Sequence, residues 1–203
     1  MHILLTTDRL ILRRFTEADA EPLYQLDNDP EVMRWINGGT PTPREVIEDD
    51  MLPGFCRYDE ANPAYGFWAA IERRSGAFVG WLCYRRSGER LDEAILGYRF
   101  VRSFWGRGYA TEGARALLRL GFVELGVRRV VASTYEHNAA SRRVMEKLGM
   151  ALVRCFRITP QDMMDSDTSH STSLEVWDGD EVEYAITRAA WAQRAERDTP
   201  PAN

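Results

Sequence analysis

The sequence predicts a mixed α/β fold: a central, mostly antiparallel sheet of about seven strands with helices on both faces. Two strand-like runs separated by a Ser75-Gly76 turn predict a hairpin, and after it strand-like and helix-like segments alternate. The chain has 203 residues and is 44% hydrophobic, which suffices for one domain with a complete core. We therefore expect a single domain over residues 1–195 and a flexible tail over residues 196–203.

The first part of the chain predicts one edge strand followed by helices. Residues 3–15 alternate apolar and polar side chains, as expected for a strand with one buried face. Thr16 is predicted to cap the next helix, with Asp19 in its first turn. Helices are then expected over residues 16–28, 30–35 and 44–58.

The remaining elements alternate more regularly. The predicted strands cover residues 65–72, 78–86, 94–101, 128–135, 150–158 and 181–187. One helix opens near residue 109 and runs to about residue 125, with apolar side chains at three- and four-residue spacing. A second helix covers residues 138–148 and is predicted to end at Gly149.

The most informative stretch runs from Gly97 to Ala114. An apolar strand-like run breaks at Gly106 and Gly108, and a helix then opens with small residues. This order leaves backbone N–H groups aimed at one point in front of a helix N-terminus, where an anion is favoured. Glycine allows a positive φ and close approach of a ligand to the backbone. The stretch therefore predicts a phosphate-binding loop.

Two common kinds of phosphate-binding loop match this stretch poorly. A P-loop requires Gly-Lys-Ser/Thr, which does not follow here. A dinucleotide fingerprint requires a third glycine, and this chain has Thr111 at that position, although the next strand does end near the acidic Glu136. Binding of NAD therefore stays an alternative, with a weaker pattern behind it.

The loop Trp105-Gly106-Arg107-Gly108-Tyr109-Ala110 resembles the acetyl-CoA loop of the GNAT family of N-acetyltransferases, Gln/Arg-x-x-Gly-x-Gly/Ala. Its tryptophan departs from the general pattern and is similar to the branch of ribosomal-protein N-terminal (RimJ/RimL-like) acetyltransferases. A second segment, residues 138–150, resembles the family's Asn-x-x-Ser-x-x-x-x-Glu-Lys-x-Gly-Phe. Two such motifs in the correct order carry the resemblance, which implies the GNAT fold.

The resemblance implies an enzyme that moves an acetyl group from acetyl-CoA directly to a primary amine, without an acyl-enzyme or a metal. The acceptor would be a protein or peptide N-terminus, or a small molecule such as an aminoglycoside or a polyamine. Backbone N–H groups around Phe100, Val101 and Arg102 would polarise the thioester. The full set of implied acetyl-CoA-binding residues is Phe100, Val101, Arg102, Gly106, Arg107, Gly108, Tyr109, Ala110, Thr111 and Asn138.

The resemblance also implies that Ser141 protonates the leaving thiolate, whose ordinary pKa is about 8.5. Plain structural roles stay open for Ser141 and Asn138, because both residues begin a predicted helix. The general base is less clear: Glu93, Asp162 and His137 are candidates. An α-amine, with a pKa near 7.7–8.0, would need less help from a base than an alkyl amine with a pKa near 10.4.

Net charge, hydropathy and cysteine usage limit which partners and which cellular compartment the sequence predicts. A net charge of −5 argues against general binding of nucleic acid, and no apolar run reaches the ~18–20 residues of a membrane span. Cys56, Cys83 and Cys155 lack metal-ligand spacing, and the last two are predicted to be buried thiols in a reducing, cytoplasmic compartment. A monomer and a homodimer are both compatible with the sequence.

Two further alternatives concern function. The chain could be a non-catalytic acyl-CoA-binding regulatory module that keeps the fold without turnover. Residues 158–187 contain eight Asp and Glu and no Lys or Arg, so the segment is predicted either to attract a cationic acceptor or to be a solvated loop.

Overall fold

The computed structural model describes residues 2–58, 62–88, 90–157 and 179–198. Within these ranges the chain forms one eight-stranded sheet flanked by helices, which confirms the mixed α/β prediction. The strands are β1 Ile3–Thr6, β2 Leu10–Arg14, β3 Gly66–Glu72, β4 Phe78–Ser87, β5 Arg90–Phe100, β6 Arg129–Tyr135, β7 Ala151–Phe156 and β8 Glu181–Thr187.

The helices fall into two groups along the chain. They are α1 Ala20–Asp27, α2 Pro30–Asn37, α3 Arg44–Val46, α4 Leu52–Cys56, α5 Tyr109–Val123, α6 Ala139–Lys147 and α7 Arg188–Asp198. Short 3₁₀ turns occupy Glu17–Asp19 and Arg102–Phe104, and a π-helical turn, Ile47–Met51, joins α3 to α4.

The strands follow the order β1-β2-β3-β4-β5-β6-β8-β7. Only the β5–β6 pair is parallel among these neighbours. The sheet has one strand more than predicted, because residues 3–15 form a hairpin rather than one strand. The chain reverses where the Thr7 hydroxyl accepts the Leu10 N–H at 2.9 Å, a turn without the glycine or proline that normally signals one.

Each face of the sheet carries its own core. Helices α5 and α6 cover one face, where Leu82, Tyr84 and Leu117 are fully buried. Helices α1 to α4 cover part of the other face, where Leu23, Ile47 and other apolar side chains pack against the sheet. We call these the α5–α6 face and the α1–α2 face.

Several predicted boundaries are confirmed by their hydrogen bonds. Thr16 and Asp19 form the capping box before α1, with the Thr16 N–H donating to the Asp19 carboxylate at 2.8 Å. The side chain of Asn138 accepts the Ser141 N–H at 3.2 Å at the start of α6. Gly149 ends that helix region with a φ of +83°.

Two expectations differ from the structure. Helix α7 extends to Asp198, so residues 196–198 belong to a helix rather than to the predicted tail, and residues 199–203 lie outside the described residues. Cys155 is exposed, not buried, because β7 is the outer strand of the sheet; Cys83 is buried as predicted. Among the described residues, no helix is long and apolar enough to cross a membrane.

Candidate active site

Strands β5 and β6 run side by side at one end and separate at the other. They pair from Glu93 opposite Arg129 to Ile95 opposite Val131. Beyond this point β5 continues to Phe100 with only β4 beside it, while β6 continues to Tyr135 paired with β8. A wedge-shaped opening therefore lies between residues 96–100 and residues 132–135, and we call it the β5–β6 gap.

The backbone of β5 presents N–H groups to this gap. The Val101 N–H donates to the Val79 carbonyl of β4 at 2.9 Å. Because successive strand residues point their N–H groups to opposite sides, those of Tyr98 and Phe100 point away from β4 and toward the gap. The Phe100 carbonyl accepts the indole N–H of Trp105 at 2.6 Å. The Phe100 N–H is thus oriented to meet an acceptor atom in the gap.

The other two residues expected beside Phe100 are placed differently. The Val101 N–H donates to the Val79 carbonyl of β4 and therefore points away from the gap. Arg102 begins a 3₁₀ turn, and its guanidinium lies 3.9 Å from the Asp29 carboxylate. Of the three predicted thioester-polarising residues, Phe100 alone has its backbone N–H directed into the gap by the strand geometry.

The glycine loop follows the end of β5 and leads into α5. Gly106 and Gly108 have φ angles of +72° and +84°, in the left-handed region that favours glycine. A Cβ at Gly106 would meet nothing within 4 Å. Helix α5 begins at Tyr109, so the first N–H groups of this helix, including those of Ala110 and Thr111, have no acceptor within the helix. An anion held here would also gain from the helix dipole.

Arg9, which the sequence did not single out, holds this loop in place. Its guanidinium donates to the Arg107 carbonyl at 2.8 Å and to the Glu112 carboxylate at 2.6 Å. It also lies 4.7 Å from the centre of the Tyr109 ring. Arg9 and Arg107 are 98 residues apart, so no motif spacing links them.

A pocket of about 480 Å³ opens beside this loop. Its lining is strongly charged and consists of Asp8, Arg9, Glu72, Arg73, Arg74 and Tyr109. The lining carries three arginines and two carboxylates; Arg9 is paired with Glu112, and Arg73 donates to the carbonyls of Thr7 and Asp8. The side chain of Arg107 lies 5.2 Å from the centre of the Phe104 ring.

Two hydroxyl groups meet on the α5–α6 face below the gap. The hydroxyls of Tyr98 and Ser141 are 3.1 Å apart, and the Tyr98 hydroxyl also donates to the Ser141 carbonyl at 3.1 Å. Burial raises the pKa of Tyr98 to about 12, so this hydroxyl keeps its proton at neutral pH. Ser141 was predicted from the motif; Tyr98 had no sequence signal, because a strand tyrosine is ordinarily core.

Asn138 has both polar atoms of its side chain occupied by its own chain. Its oxygen accepts the Ser141 N–H, and its amide donates to the Thr134 hydroxyl at 3.0 Å. This arrangement is the helix-capping role that the sequence left open. It also fixes the start of α6, and therefore the place of Ser141.

Glu93 does not have the surroundings of a general base. Burial would raise the pKa of its carboxyl group, but hydrogen bonds from Ser87 and Arg129 outweigh burial and lower it. Arg90 adds a third partner at 3.5 Å. Glu93 also lies where β5 and β6 still pair, at the opposite end of β5 from Phe100. The structure therefore gives no support to the predicted role of Glu93 as a base.

Of the other two candidate bases, His137 lies among the described residues and Asp162 does not. His137 is an exposed side chain with its ring nitrogen 3.4 Å from the Glu136 carboxylate. Asp162, and the part of the acidic segment from residue 158 to residue 178, lie outside the described residues.

On the α1–α2 face, a buried ion pair lies beside the gap. The Arg99 guanidinium donates to the fully buried Asp27 carboxylate at 2.5 Å. The second oxygen of Asp27, the Nε of Arg99 and the indole nitrogen of Trp81 are buried, and none of them has a hydrogen-bond partner among the described residues. Unpaired buried polar atoms are costly, so their grouping is typical of a site that binds a polar ligand.

An opening between two diverging strands, next to a glycine loop at a helix N-terminus, defines a protein that binds a nucleotide-containing ligand with an extended arm. Residues 9–151 match the acetyltransferase (GNAT) domain family. The chain therefore belongs to the GNAT family and is an acetyl-CoA-dependent N-acetyltransferase. This confirms the resemblance deduced from the two motifs.

The relatives agree with this assignment. The chain is 33% identical over 195 residues to the FsC-acetyl coenzyme A-N(2)-transacetylase of Aspergillus fumigatus, covering 92% of this chain and 77% of that protein. It is 26% identical to the crystal structure of a GNAT-family acetyltransferase from Bacillus anthracis, with a TM-score of 0.72, covering 93% of this chain and 99% of that one.

A third relative shares the fold. RimL, a ribosomal alpha-N-protein acetyltransferase solved in complex with coenzyme A, has a TM-score of 0.71 and 19% identity. The match covers 92% of this chain and 98% of RimL.

Proposed function

We propose that this enzyme transfers the acetyl group of acetyl-CoA directly to an α-type primary amine, on a peptide or protein N-terminus or on an amino-acid-like small molecule. The observation that carries the proposal is the β5–β6 gap, which has the Phe100 N–H on its wall and the Tyr98–Ser141 hydroxyl pair below it. The names of two relatives specify an N(2) and an alpha-N nitrogen, which supports the choice of an α-type amine.

Binding of acetyl-CoA follows from the electrostatics of the loop. The backbone N–H groups of residues 106–111 hold the diphosphate at the start of α5, where the helix dipole favours negative charge. The pantetheine arm then lies along β5 as an added strand and pairs with the N–H groups that face the gap. This path ends with the thioester carbonyl at Phe100.

Acetyl transfer then proceeds in one addition and one elimination. The neutral amine attacks the thioester carbon and forms the new C–N bond, while the Phe100 N–H stabilises the negative charge that develops on oxygen. The C–S bond breaks, and the sulfur takes a proton from the Ser141 hydroxyl, which the Tyr98 hydroxyl holds at 3.1 Å and which regains a proton from solvent after the thiol leaves. The amine proton leaves to a base, and no covalent enzyme intermediate is formed.

A non-catalytic acyl-CoA-binding module is the main alternative. Such a module would need the loop and the gap but not the Tyr98–Ser141 pair, which serves no purpose in holding the diphosphate. The presence of this pair below the gap favours turnover.

Release of thiol from acetyl-CoA tests the proposal. The acceptor panel contains a short peptide with an unblocked N-terminus, the same peptide N-acetylated, an amino-acid amide, a polyamine and an aminoglycoside. We expect release with the unblocked peptide or the amino-acid amide, no release with the blocked peptide, and one added acetyl group on the α-nitrogen by mass spectrometry. Tight binding of CoA without release in any reaction would instead support the module, and a preference for the polyamine would contradict the α-type acceptor.

A further inference from the structure

The two faces of the sheet differ in how they cover the β5–β6 gap. On the α5–α6 face, α6 carries Ser141 to the gap, where its hydroxyl lies 3.1 Å from that of Tyr98. On β6, Val130 and Ala132 belong to the core of that face, so strand alternation places Ser133 on the α1–α2 face. Ser133 is exposed. At the level of the gap, β6 is therefore uncovered on the α1–α2 face.

The direction from which the amine arrives follows from the geometry of the thioester. With the pantetheine arm lying as an added strand and its carbonyl oxygen meeting the Phe100 N–H, the C=O bond lies close to the plane of the sheet. A nucleophile attacks a carbonyl carbon from above or below its plane, so the amine comes from one of the two faces. Because α6 and Ser141 occupy the α5–α6 face, the amine arrives on the α1–α2 face.

Arg99 is the charged residue of β5 on that face beside the reacting carbon. It lies between Tyr98 and Phe100, about 3.8 Å from the Phe100 Cα, and is paired across β4 with Trp81, which belongs to the core of the α1–α2 face. Its guanidinium lies 5.2 Å from the centre of the Trp81 ring and 2.5 Å from the Asp27 carboxylate. The Arg99 side chain is 12% exposed and that of Asp27 is 0% exposed, so a ligand can reach the arginine.

The Asp27–Arg99 pair keeps hydrogen-bonding capacity that the fold does not use. Nη1 of Arg99 donates to Asp27, whereas Nε is buried and has no partner among the described residues. A buried donor that stays unpaired costs free energy, which a bound acceptor atom removes. The Asp27 carboxylate also balances the charge of the guanidinium, so the pair does not repel an amine. The pair therefore offers N–H donors without net charge.

We propose that Arg99 recognises the acceptor, by donating a hydrogen bond to the carbonyl oxygen on the carbon that bears the amine, and that Asp27 holds the guanidinium in place. This inference rests on the proposed function and deepens it, because it assigns the residue that selects α-amino carbonyl compounds over simple alkyl amines. Such a compound presents its nitrogen to the thioester in the gap and its carbonyl oxygen to Arg99 on the α1–α2 face.

The test compares two acceptors, alaninamide and isopropylamine, which has no carbonyl group. The preference is the ratio of their kcat/KM values. We expect Arg99→Met to lower the preference for alaninamide by about tenfold or more, with the Kd for acetyl-CoA within about threefold of the wild type. The two amines differ in pKa, but this difference is the same for each enzyme and cancels when preferences are compared.

Arg85→Met is the matched control. Arg85 lies on the same face as Trp81, and its Nε is also buried without a partner in the described part of the chain. It is paired with Ile95, where β5 and β6 still run side by side, so it lies away from the gap. We expect Arg85→Met to change the preference for alaninamide by less than about twofold.

Asp27→Asn tests the positioning role of the carboxylate. The substitution keeps the shape of the side chain and removes its charge, so Arg99 is still present but is held less firmly. We expect the preference for alaninamide to fall, mainly through a higher KM and with kcat nearly unchanged. A folded Asp27→Asn enzyme with the wild-type preference would remove Asp27 from the assignment.

A folded Arg99→Met enzyme with the wild-type preference would overturn the inference. Should that variant fail to fold, since it leaves Asp27 buried and unpaired, Asp27→Leu combined with Arg99→Met replaces the whole pair by apolar side chains, and the wild-type preference in this double variant would overturn it equally. A wild-type enzyme that acetylates no amine contradicts the proposed function, whereas acetylation of alaninamide with a preference independent of Arg99 contradicts this inference alone.

Discussion

At the scale of single residues, the Tyr98–Ser141 pair is the part of the gap most specific to acetyl transfer. If Ser141 protonates the thiolate, Ser141→Ala should lower kcat by about 10²-fold and leave the Kd for acetyl-CoA nearly unchanged, because the lost contact is made mainly in the transition state. Tyr98→Phe should lower kcat less, because it removes the hydroxyl that contacts Ser141 and keeps the Ser141 hydroxyl itself. Steady-state kinetics and calorimetric titration give both quantities.

A drop in kcat of less than threefold for Ser141→Ala would return Ser141 to a structural role at the start of α6. The unfolding temperature of Ser141→Ala serves as the control. It should stay close to that of the wild type, because Asn138 caps α6 through the Ser141 backbone N–H, which the substitution keeps.

Alanine substitutions at Gly108 and Gly126 distinguish a loss of ligand binding from the cost of backbone strain. Their φ angles are +84° and +71°, so alanine at either position costs about 1–2 kcal/mol of stability. Only Gly108 lies in the loop where the diphosphate is proposed to bind; a Cβ at Gly126 meets nothing within 4 Å. We expect Gly108→Ala to weaken acetyl-CoA binding by at least about tenfold, and Gly126→Ala to leave it unchanged.

An unchanged affinity of Gly108→Ala for acetyl-CoA, measured by titration calorimetry on folded protein, would contradict the placement of the diphosphate at the glycine loop. A similar loss of affinity in both variants would point to general destabilisation instead.

Residues within one motif were predictable, whereas residues brought together by the sheet were not. Ser141, Asn138 and the glycine loop belong to local patterns whose spacing the sequence displays. Tyr98 meets Ser141 43 residues away along the chain, and Arg9 meets Arg107 98 residues away. The sequence offered Glu93 as a base without sight of its arginine partner on β6, which becomes apparent only when the strands are paired.

At the scale of elements, the contact between α5 and β4 depends on Gly121. A Cβ at this position would lie 1.8 Å from the Tyr84 hydroxyl and 2.6 Å from the ring carbon that bears it. Gly121→Ala should therefore destabilise the protein by about 1–3 kcal/mol and lower Tm by several degrees, about 2–4 °C per kcal/mol for a chain of this size. Thermal unfolding followed by circular dichroism measures the shift.

Tyr84→Phe provides the partner variant for this clash. The Tyr84 hydroxyl is buried and has no hydrogen-bond partner in the part of the chain that the structure describes, so its removal relieves the closest contact at small cost. The double variant should regain part of the stability that Gly121→Ala loses. A Gly121→Ala protein as stable as the wild type would show that α5 packs further from β4 than the distance between Gly121 and Tyr84 implies.

Helix and strand types were predicted well where side-chain periodicity was regular, as in α5 and β6. The β1–β2 turn was missed because apolar and polar residues keep alternating through the reversal at Thr7, and a hydroxyl hydrogen bond rather than a glycine makes the turn. Helix α7 was not predicted, because its sequence, Arg188–Asp198, is rich in polar residues and alanine and shows only a weak apolar stripe.

At the scale of the whole molecule, the proposed reaction uses both faces of the sheet. We propose that the gap between β5 and β6 holds the cofactor arm and that Ser141 acts from the α5–α6 face, while the α1–α2 face presents the Asp27–Arg99 pair. The order of motifs in the sequence was sufficient to predict the fold, whereas the role of the glycine loop in cofactor binding stays a prediction. The acceptor side could not be predicted, because it depends on how the ends of distant strands are placed.

Amide hydrogen exchange, measured residue by residue by NMR with and without acetyl-CoA, tests the central claim most directly. Arg99 and Val101 direct their N–H groups to β4 and should exchange slowly in both samples, whereas Tyr98 and Phe100 should exchange faster in the unliganded protein. On binding, exchange at Tyr98, Phe100 and residues 106–111 should slow by about tenfold or more. Saturation with acetyl-CoA that leaves Tyr98 and Phe100 unchanged would show that the cofactor arm does not lie in the β5–β6 gap.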